Sequence, residues 1–130
     1  MPITIEYRHD QHIAIAAMIG NLAAEEIDTT LRGELAQFIQ QHSPERVDII
    51  FDVRQFDWDF QQFVKYLTLA AERRKNQGFP PNLVQHYVGQ NQWLQNFRNW
   101  IDKRYGDQIS TFSNLEDALQ FIDSQKQKAG

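Results

Sequence analysis

Hydrophobic and polar positions change their period along the chain, and each change marks an element. Ile3, Ile5 and Tyr7 alternate with Thr4 and Glu6, the period of a strand with one buried face. Arg8-His9-Asp10-Gln11 interrupts this pattern. His12-Ile13-Ala14-Ile15-Ala16-Ala17-Met18-Ile19 then forms a second strand, which Gly20 ends. So short a connection predicts an antiparallel hairpin, because parallel neighbours need a longer crossover. From about Ala23 to His42 the period becomes helical, with Ile27, Leu31, Leu35, Phe38, Ile39 and His42 on one stripe. Glu25, Glu26 and Asp28 in its first turns suit the helix dipole. Ser43-Pro44 ends it, since the residue before proline avoids helical geometry. Gly33 marks either close packing or a tolerated glycine on the exposed face.

Val47-Asp48-Ile49-Ile50-Phe51-Asp52-Val53 is the organising segment. It is short and rich in β-branched residues, with apolar groups on both faces, which predicts a central strand covered on each side. A helix is predicted from about Asp59 to Asn76, with Phe60, Phe63, Val64, Leu67, Ala70 and Ala71 as its buried stripe and Asp57 or Asp59 as N-cap. Gln77-Gly78-Phe79-Pro80-Pro81 is a break. Leu83–Val88 is a further inner strand that ends in Gly89. Gln90 or Asn91 opens a helix bearing Trp93, Leu94, Phe97, Trp100 and Ile101, and Tyr105-Gly106-Asp107 closes it. Gln108–Phe112 is a short strand. Ser113-Asn114-Leu115-Glu116 reads as a capping box before a helix carrying Leu115, Ala118, Leu119 and Ile122, and residues 124–130 are expected to fray.

The order β-β-α-β-α-β-α-β-α over residues 1–130 predicts a single α/β domain. Its five-stranded sheet is mostly parallel, with an N-terminal antiparallel hairpin.

Composition narrows the function classes. A net charge of −4 argues against nucleic acid, whose phosphates reward a basic field. The chain has no cysteine, which removes thiolate nucleophiles, disulfides and Cys-ligated zinc together and fits a reducing cytoplasm. No apolar run approaches the roughly 20 residues of a membrane helix. The first residues read as a strand, without the features of a secretion signal.

Candidate chemistry concentrates after the central strand. Asp52, Arg54, Asp57, Trp58 and Asp59 lie where the carboxyl ends of strands and the starts of helices converge, the usual site in open α/β sheets. Two carboxylates with an arginine suit acid–base work or oxygen ligation; an Asp52–Arg54 pair with an Asp57 or Asp59 cap is the structural alternative. Gly89-Gln90-Asn91-Gln92 is a strand-to-helix turn at the same end, with neither a dinucleotide fingerprint nor a phosphate loop. His86 is a mid-strand imidazole, a base or ligand on a sheet face, or else a half-buried structural group. His9, His12 and His42 have no zinc-motif spacing. Trp93, Phe97 and Trp100 share a helix stripe that packs a core or, where a tryptophan faces outward, marks a partner surface. The partner and ligand candidates are therefore Asp52, Arg54, Asp57, Trp58, His86, Gln90, Asn91 and Trp93, with no catalytic residue, metal or cofactor assigned.

The element order, the opening Ile3-Thr4-Ile5-Glu6-Tyr7 and the closing Phe112-Ser113-Asn114-Leu115-Glu116-Asp117-Ala118-Leu119-Gln120-Phe121-Ile122 resemble the STAS, or anti-sigma-factor-antagonist-like, fold in its branch of small bacterial proteins. The resemblance runs over about residues 3–123 and lies in hydrophobic pattern more than in identity. It implies a regulatory, protein-binding role. Phosphoswitch members of that fold carry a serine just after the central strand. Residues 52–59 here contain neither Ser nor Thr, so the switch does not carry over. Related lipid-transfer domains of the CRAL-TRIO type imply a second role, binding an apolar ligand between sheet and helices. A homodimer through the exposed first strand is a further expectation.

Overall fold

Parallel strands that lie side by side in sequence order must place their right-handed crossovers on one side of the sheet. The computed structural model, which describes residues 3–57, 59–77, 80–90, 92–105 and 109–129, follows this rule. Strands β1 (Ile3–Arg8), β2 (Ile13–Gly20), β3 (Val47–Phe56), β4 (Leu83–Val88) and β5 (Ser110–Phe112) form one sheet in the order β1-β2-β3-β4-β5. β1 and β2 are antiparallel and the remaining pairs parallel. The helices are α1 (Ala24–Thr30), α2 (Ala36–His42), α3 (Phe60–Gln77), α4 (Gln92–Tyr105) and α5 (Leu115–Ala129).

The two faces of β3 separate two cores. Val47, Ile49, Phe51 and Val53 join Ala14, Ala16, Met18 and Tyr87 under Ile27, Phe38, Leu94 and Phe97, so α1, α2 and α4 share one face with Tyr66 and Leu67 of α3. Ile50 joins Ile13, Ile15 and Val88 under Ala118 and Ile122 on the other face. α5 follows the last strand, has no crossover to make, and covers that second face. β3 is thus central, as its two-sided apolar pattern predicts.

Several elements depart from expectation. β3 runs three residues past Val53, because a shift of register against β2 between Ala17 and Ile19 lets Gln55 and Phe56 pair with Ile19 and Gly20. The Asp57 N–H extends this pairing by donating to Gly20 O at 2.8 Å. The helix expected over 23–42 is interrupted by a π-helical turn, Leu31–Leu35, that contains Gly33. No atom lies within 4 Å of where a Gly33 side chain would begin, so the tolerated-glycine reading holds. Val64, expected in the buried stripe of α3, is 45% exposed. Leu67 packs against the core as expected and Tyr66 joins it, while Gln62 Oε1 accepts a hydrogen bond from Ala24 N; the side chains of Phe60, Phe63 and Ala70 lie outside the described ones. The last helix is capped one residue later than the predicted box, with Asn114 Oδ1 accepting from Asp117 N at 2.8 Å. It then continues through the stretch expected to fray, where Gln125 and Lys126 make tertiary hydrogen bonds. Trp58, Asn91, the Gly78-Phe79 break and the Gly106-Asp107 stop fall outside the described residues.

Candidate functional site

Parallel pairing brings the carboxyl ends of β3 and β4 to one rim. Asp52 lies beside Val88 in register, and Gly89 follows at once. At Gly89 an added Cβ would stand 3.1 Å from Val53 Cγ2 and 3.3 Å from Leu94 Cδ2, so the turn is held close against β3 and α4. Asp52 is bound by its neighbour: Arg54 Nε donates to Oδ1 at 2.9 Å, Arg54 Nη2 to Oδ2 at 2.7 Å, and Arg54 N also to Oδ1 at 3.2 Å. The Arg54 hydrogen bonds hold the Asp52 carboxyl below the usual carboxylate range despite its partial burial. Asp52 in turn raises the Arg54 guanidinium.

Asp57 is exposed and its backbone is drawn to Gly20, on the β2 side of β3. Asp59 caps α3, its Oδ1 accepting from Gln62 N at 3.2 Å. Gln90 is exposed at the turn, and Trp93 is partly buried against the core. Trp58 and Asn91 lie outside the described residues. Among the described residues, Ile19 is an exposed large apolar group at this rim, 43% exposed and opposite Gln55.

His86 is not at the rim. It lies mid-strand beside Ile50, with no exposed area, and its Nε2 is 2.7 Å from Oδ2 of the equally buried Asp48. A carboxylate only accepts, so Nε2 carries the proton. Arg46 completes the group, donating from Nε to Asp48 Oδ1 at 2.9 Å and from Nη2 to Oδ2 at 2.7 Å, and on to Gln125 Oε1 of α5 at 2.6 Å. Burial pushes the Asp48 carboxyl up, but the hydrogen bonds from His86 and Arg46 more than offset this and hold it below the ordinary value. His86 Nδ1 is buried without a hydrogen-bond partner, beside the rings of Phe112 and Phe121. Sequence reading missed Asp48 as the partner of His86, and Arg46 as the second partner of Asp48. The available signal was their spacing, since residues two apart in a strand share a face.

The amino ends of β2 and β3 carry a second assembly. An open groove of about 620 Å³ is lined by Arg8, His12, Ile13, Arg46, Ile122 and Lys126, among others. Four of its lining groups are paired: Arg8 with Glu6, His12 with Glu45, Arg46 with Asp48, and Lys126 with the Gln11 carbonyl. Behind His12 lie His42 and His9, with Tyr7 stacked on His9 and Phe38 meeting both His9 and His42 edge-on. No set of His, Asp or Glu among the described residues could hold a metal ion. A third feature, an apolar crevice of only about 30 Å³, lies under α1 and α3 between Leu22, Ile27, Val53, Phe56, Tyr66 and Phe97.

One antiparallel strand, four parallel ones in sequence order, and helices divided between the two faces define a SpoIIAA-like, STAS-like α/β fold. A solved structure of an uncharacterised protein of the DUF3478 family with a SpoIIAA-like fold, from Shewanella loihica PV-4, matches 92% of this chain and 91% of its own, with a TM-score of 0.61 at 16% sequence identity. At that identity the likeness carries the fold. No protein-family model matches the chain, and neither does any curated protein. No helix among the described residues is long and apolar enough to cross a membrane.

Proposed function

We propose that the chain is a non-catalytic, cytoplasmic regulatory domain that binds a protein partner through the carboxyl rim of its sheet, without a serine phosphoswitch. The observation that carries this reading is the Asp52–Arg54 pair. Both Asp52 carboxylate oxygens accept from the guanidinium, so this pair is not a poised acid or base, and residues 52–59 supply no hydroxyl nucleophile. Arg54, whose side chain is 45% exposed, stands next to Gln55, the strand partner of exposed Ile19. An ordered arginine beside an exposed apolar group is the chemistry of interface hot spots. The fold supports an interaction role through its resemblance to the anti-sigma-factor antagonists. The test is partner capture from the native cell with wild type and with Ile19→Asp and Arg54→Glu, folding being checked by circular dichroism. Capture lost in both folded variants supports the rim. Capture unchanged in both, or steady turnover abolished by Asp52→Ala or Asp57→Ala, rejects it.

The crevice under α1 and α3 is the feature that a second reading, an apolar-ligand carrier, would use. Its volume is about a tenth of the smallest pockets that hold drug-sized ligands. A ligand would have to part α1 from α3, which Gln62 and the Lys65–Glu25 ion pair tie together. This weighs for the rim. Native mass spectrometry of freshly purified protein separates the two readings, since a carrier retains its ligand.

A further inference from the structure

Three of the chain's four histidines meet in space although they are scattered in sequence. His9 belongs to the 3-10 turn between β1 and β2, His12 ends that turn in the left-handed conformation at φ 55°, and His42 is the last residue of α2. The His12 and His42 ring centres are 4.4 Å apart, and His9 is 5.7 Å from His42. Phe38 and Tyr7 complete the stack, Phe38 lying 4.8 Å from His42 and 5.3 Å from His9. His42 Nε2 is buried without a hydrogen-bond partner. The contact is the seam between the hairpin turn and the end of α2. His12 also ties this seam to the sheet, because its carbonyl accepts the Asp48 N–H at 3.0 Å.

We propose that His9, His12 and His42 form an acid-sensitive latch that holds the β1–β2 turn against the end of α2 while the rings are neutral and releases it when they become charged. Neutral imidazoles stack as aromatic rings; imidazolium ions at these separations repel. The charged and titratable groups facing the latch are few. Glu45, on the connection from α2 to β3, reaches His12 Nδ1 at 3.3 Å and offers one counter-charge. Glu34 acts on Tyr7. Asp10, Asp123, Arg8, Arg46 and Lys126 line the groove that His12 borders. Among the described residues Glu45 is the carboxylate paired with a ring of the latch, and that single contact does not balance three cations. Desolvation, and then repulsion from His12 and His9, lower the His42 value, and Glu45 only partly opposes them. A histidine depressed in the folded state binds fewer protons than in the unfolded chain. The latch is therefore intact above the ordinary histidine value of about 6.5 and is lost as pH falls through the folded value. Because His12 and Glu45 are walls of the groove at the amino ends of β2 and β3, release changes the shape of that groove.

The test is an NMR titration of the intact chain from about pH 8 to 5, the range that spans histidine titration. It follows the imidazole Cε1–H signals and the amide protection factors of His12, Asp48 and Ile50. The first two amides donate to His9 O and His12 O; the third lies in the central strand. The expected result is a His42 midpoint below about 6.5, with His12 and Asp48 protection falling across it by about tenfold per unit of depression and Ile50 unchanged. His42→Phe keeps a ring in the cluster without a proton and makes the protection clearly less dependent on pH than in wild type. Should that variant fail to fold, His12→Asn serves instead: asparagine accepts the left-handed backbone, and loss of the nearest imidazole raises the His42 midpoint. A wild-type midpoint at the ordinary value, protection indifferent to pH, the same acid loss in folded His42→Phe, or an unmoved midpoint in His12→Asn overturns the latch.

Discussion

His86 Nε2 donates to Asp48 Oδ2 at 2.7 Å, with no exposed area on either residue. The strand register makes the contact, since Asp48 and His86 project from the same face of adjacent strands two register positions apart. Arg46 closes the other side of the carboxylate and reaches Gln125, so one buried acid joins β3, β4 and α5.

Removing that acid strands two donors at once. Asp48→Ala is expected to cost about 3–5 kcal/mol, the usual penalty for breaking a buried ion pair from one side. That is a large share of the roughly 5–15 kcal/mol that holds a domain folded. His86→Leu costs less, about 1–3 kcal/mol, because Asp48 keeps both bonds from Arg46. The double variant Asp48→Ala/His86→Leu is expected to cost less than the sum of the two single changes, since it leaves no buried imidazole N–H without an acceptor. Urea unfolding at neutral pH, comparing midpoints at constant slope, measures the cycle. Strictly additive costs would refute the coupling.

Acid should weaken the fold through the same carboxylate. The folded Asp48 carboxyl lies below its ordinary value, held there by His86 and Arg46 against the cost of burial. As pH falls below about 4, the unfolded chain takes up the proton first. Stability contributed above that point is lost, at about 1.4 kcal/mol per pH unit per group, until the folded value is reached. Asp52, lowered by Arg54, acts in the same direction. Arg46→Gln raises the folded Asp48 value and narrows the window, so its unfolding free energy should depend less on pH between about 4 and 2. An unchanged slope would mean that Arg46 does not hold the charge.

The sheet was legible in the chain because its signals are local. The alternation of Ile3, Ile5 and Tyr7, the short polar break before Ile13 and the two-sided pattern of Val47–Val53 each restrict the strand that contains them. The partners of His86 were not legible, since Asp48 is 38 residues away and only the β3–β4 register decides that the two meet. The imidazole stack was hidden for the same reason. His9, His12 and His42 match no metal spacing, and the hairpin and α2 must dock before they become one group. Val64 shows a different limit. Phe63, Val64, Leu67 and Tyr66 permit more than one choice of inner face, and packing against α1, anchored at Gln62, settles it with Val64 outward.

Two glycines should respond in opposite directions. Gly89→Ala places a methyl 3.1 Å from Val53 Cγ2 and 3.3 Å from Leu94 Cδ2, an overpacking expected to cost about 1–3 kcal/mol. Gly33→Ala meets nothing within 4 Å and restricts the unfolded chain, so it is expected to gain up to about 1 kcal/mol. Thermal melts of the two variants check the contrast, and a stabilised Gly89→Ala would show that the turn is looser than its geometry.

The rim pair should separate stability from binding. Arg54 is largely in water, with 45% of its side chain exposed, so solvent screens the pair despite its bidentate geometry. Arg54→Ala is therefore expected to move the unfolding free energy by no more than about 1 kcal/mol. Ile19→Ser removes exposed apolar area and should be similarly mild. If the rim is the partner surface, each change weakens partner binding by about tenfold or more, the mark of a hot-spot residue of at least about 1.4 kcal/mol. Calorimetric titration with the captured partner, read beside urea melts of the same samples, measures both quantities. The converse pattern, a fold weakened by several kcal/mol with affinity intact, would make Asp52 and Arg54 a structural clasp at the end of β3 and move the search for the partner surface elsewhere on the molecule.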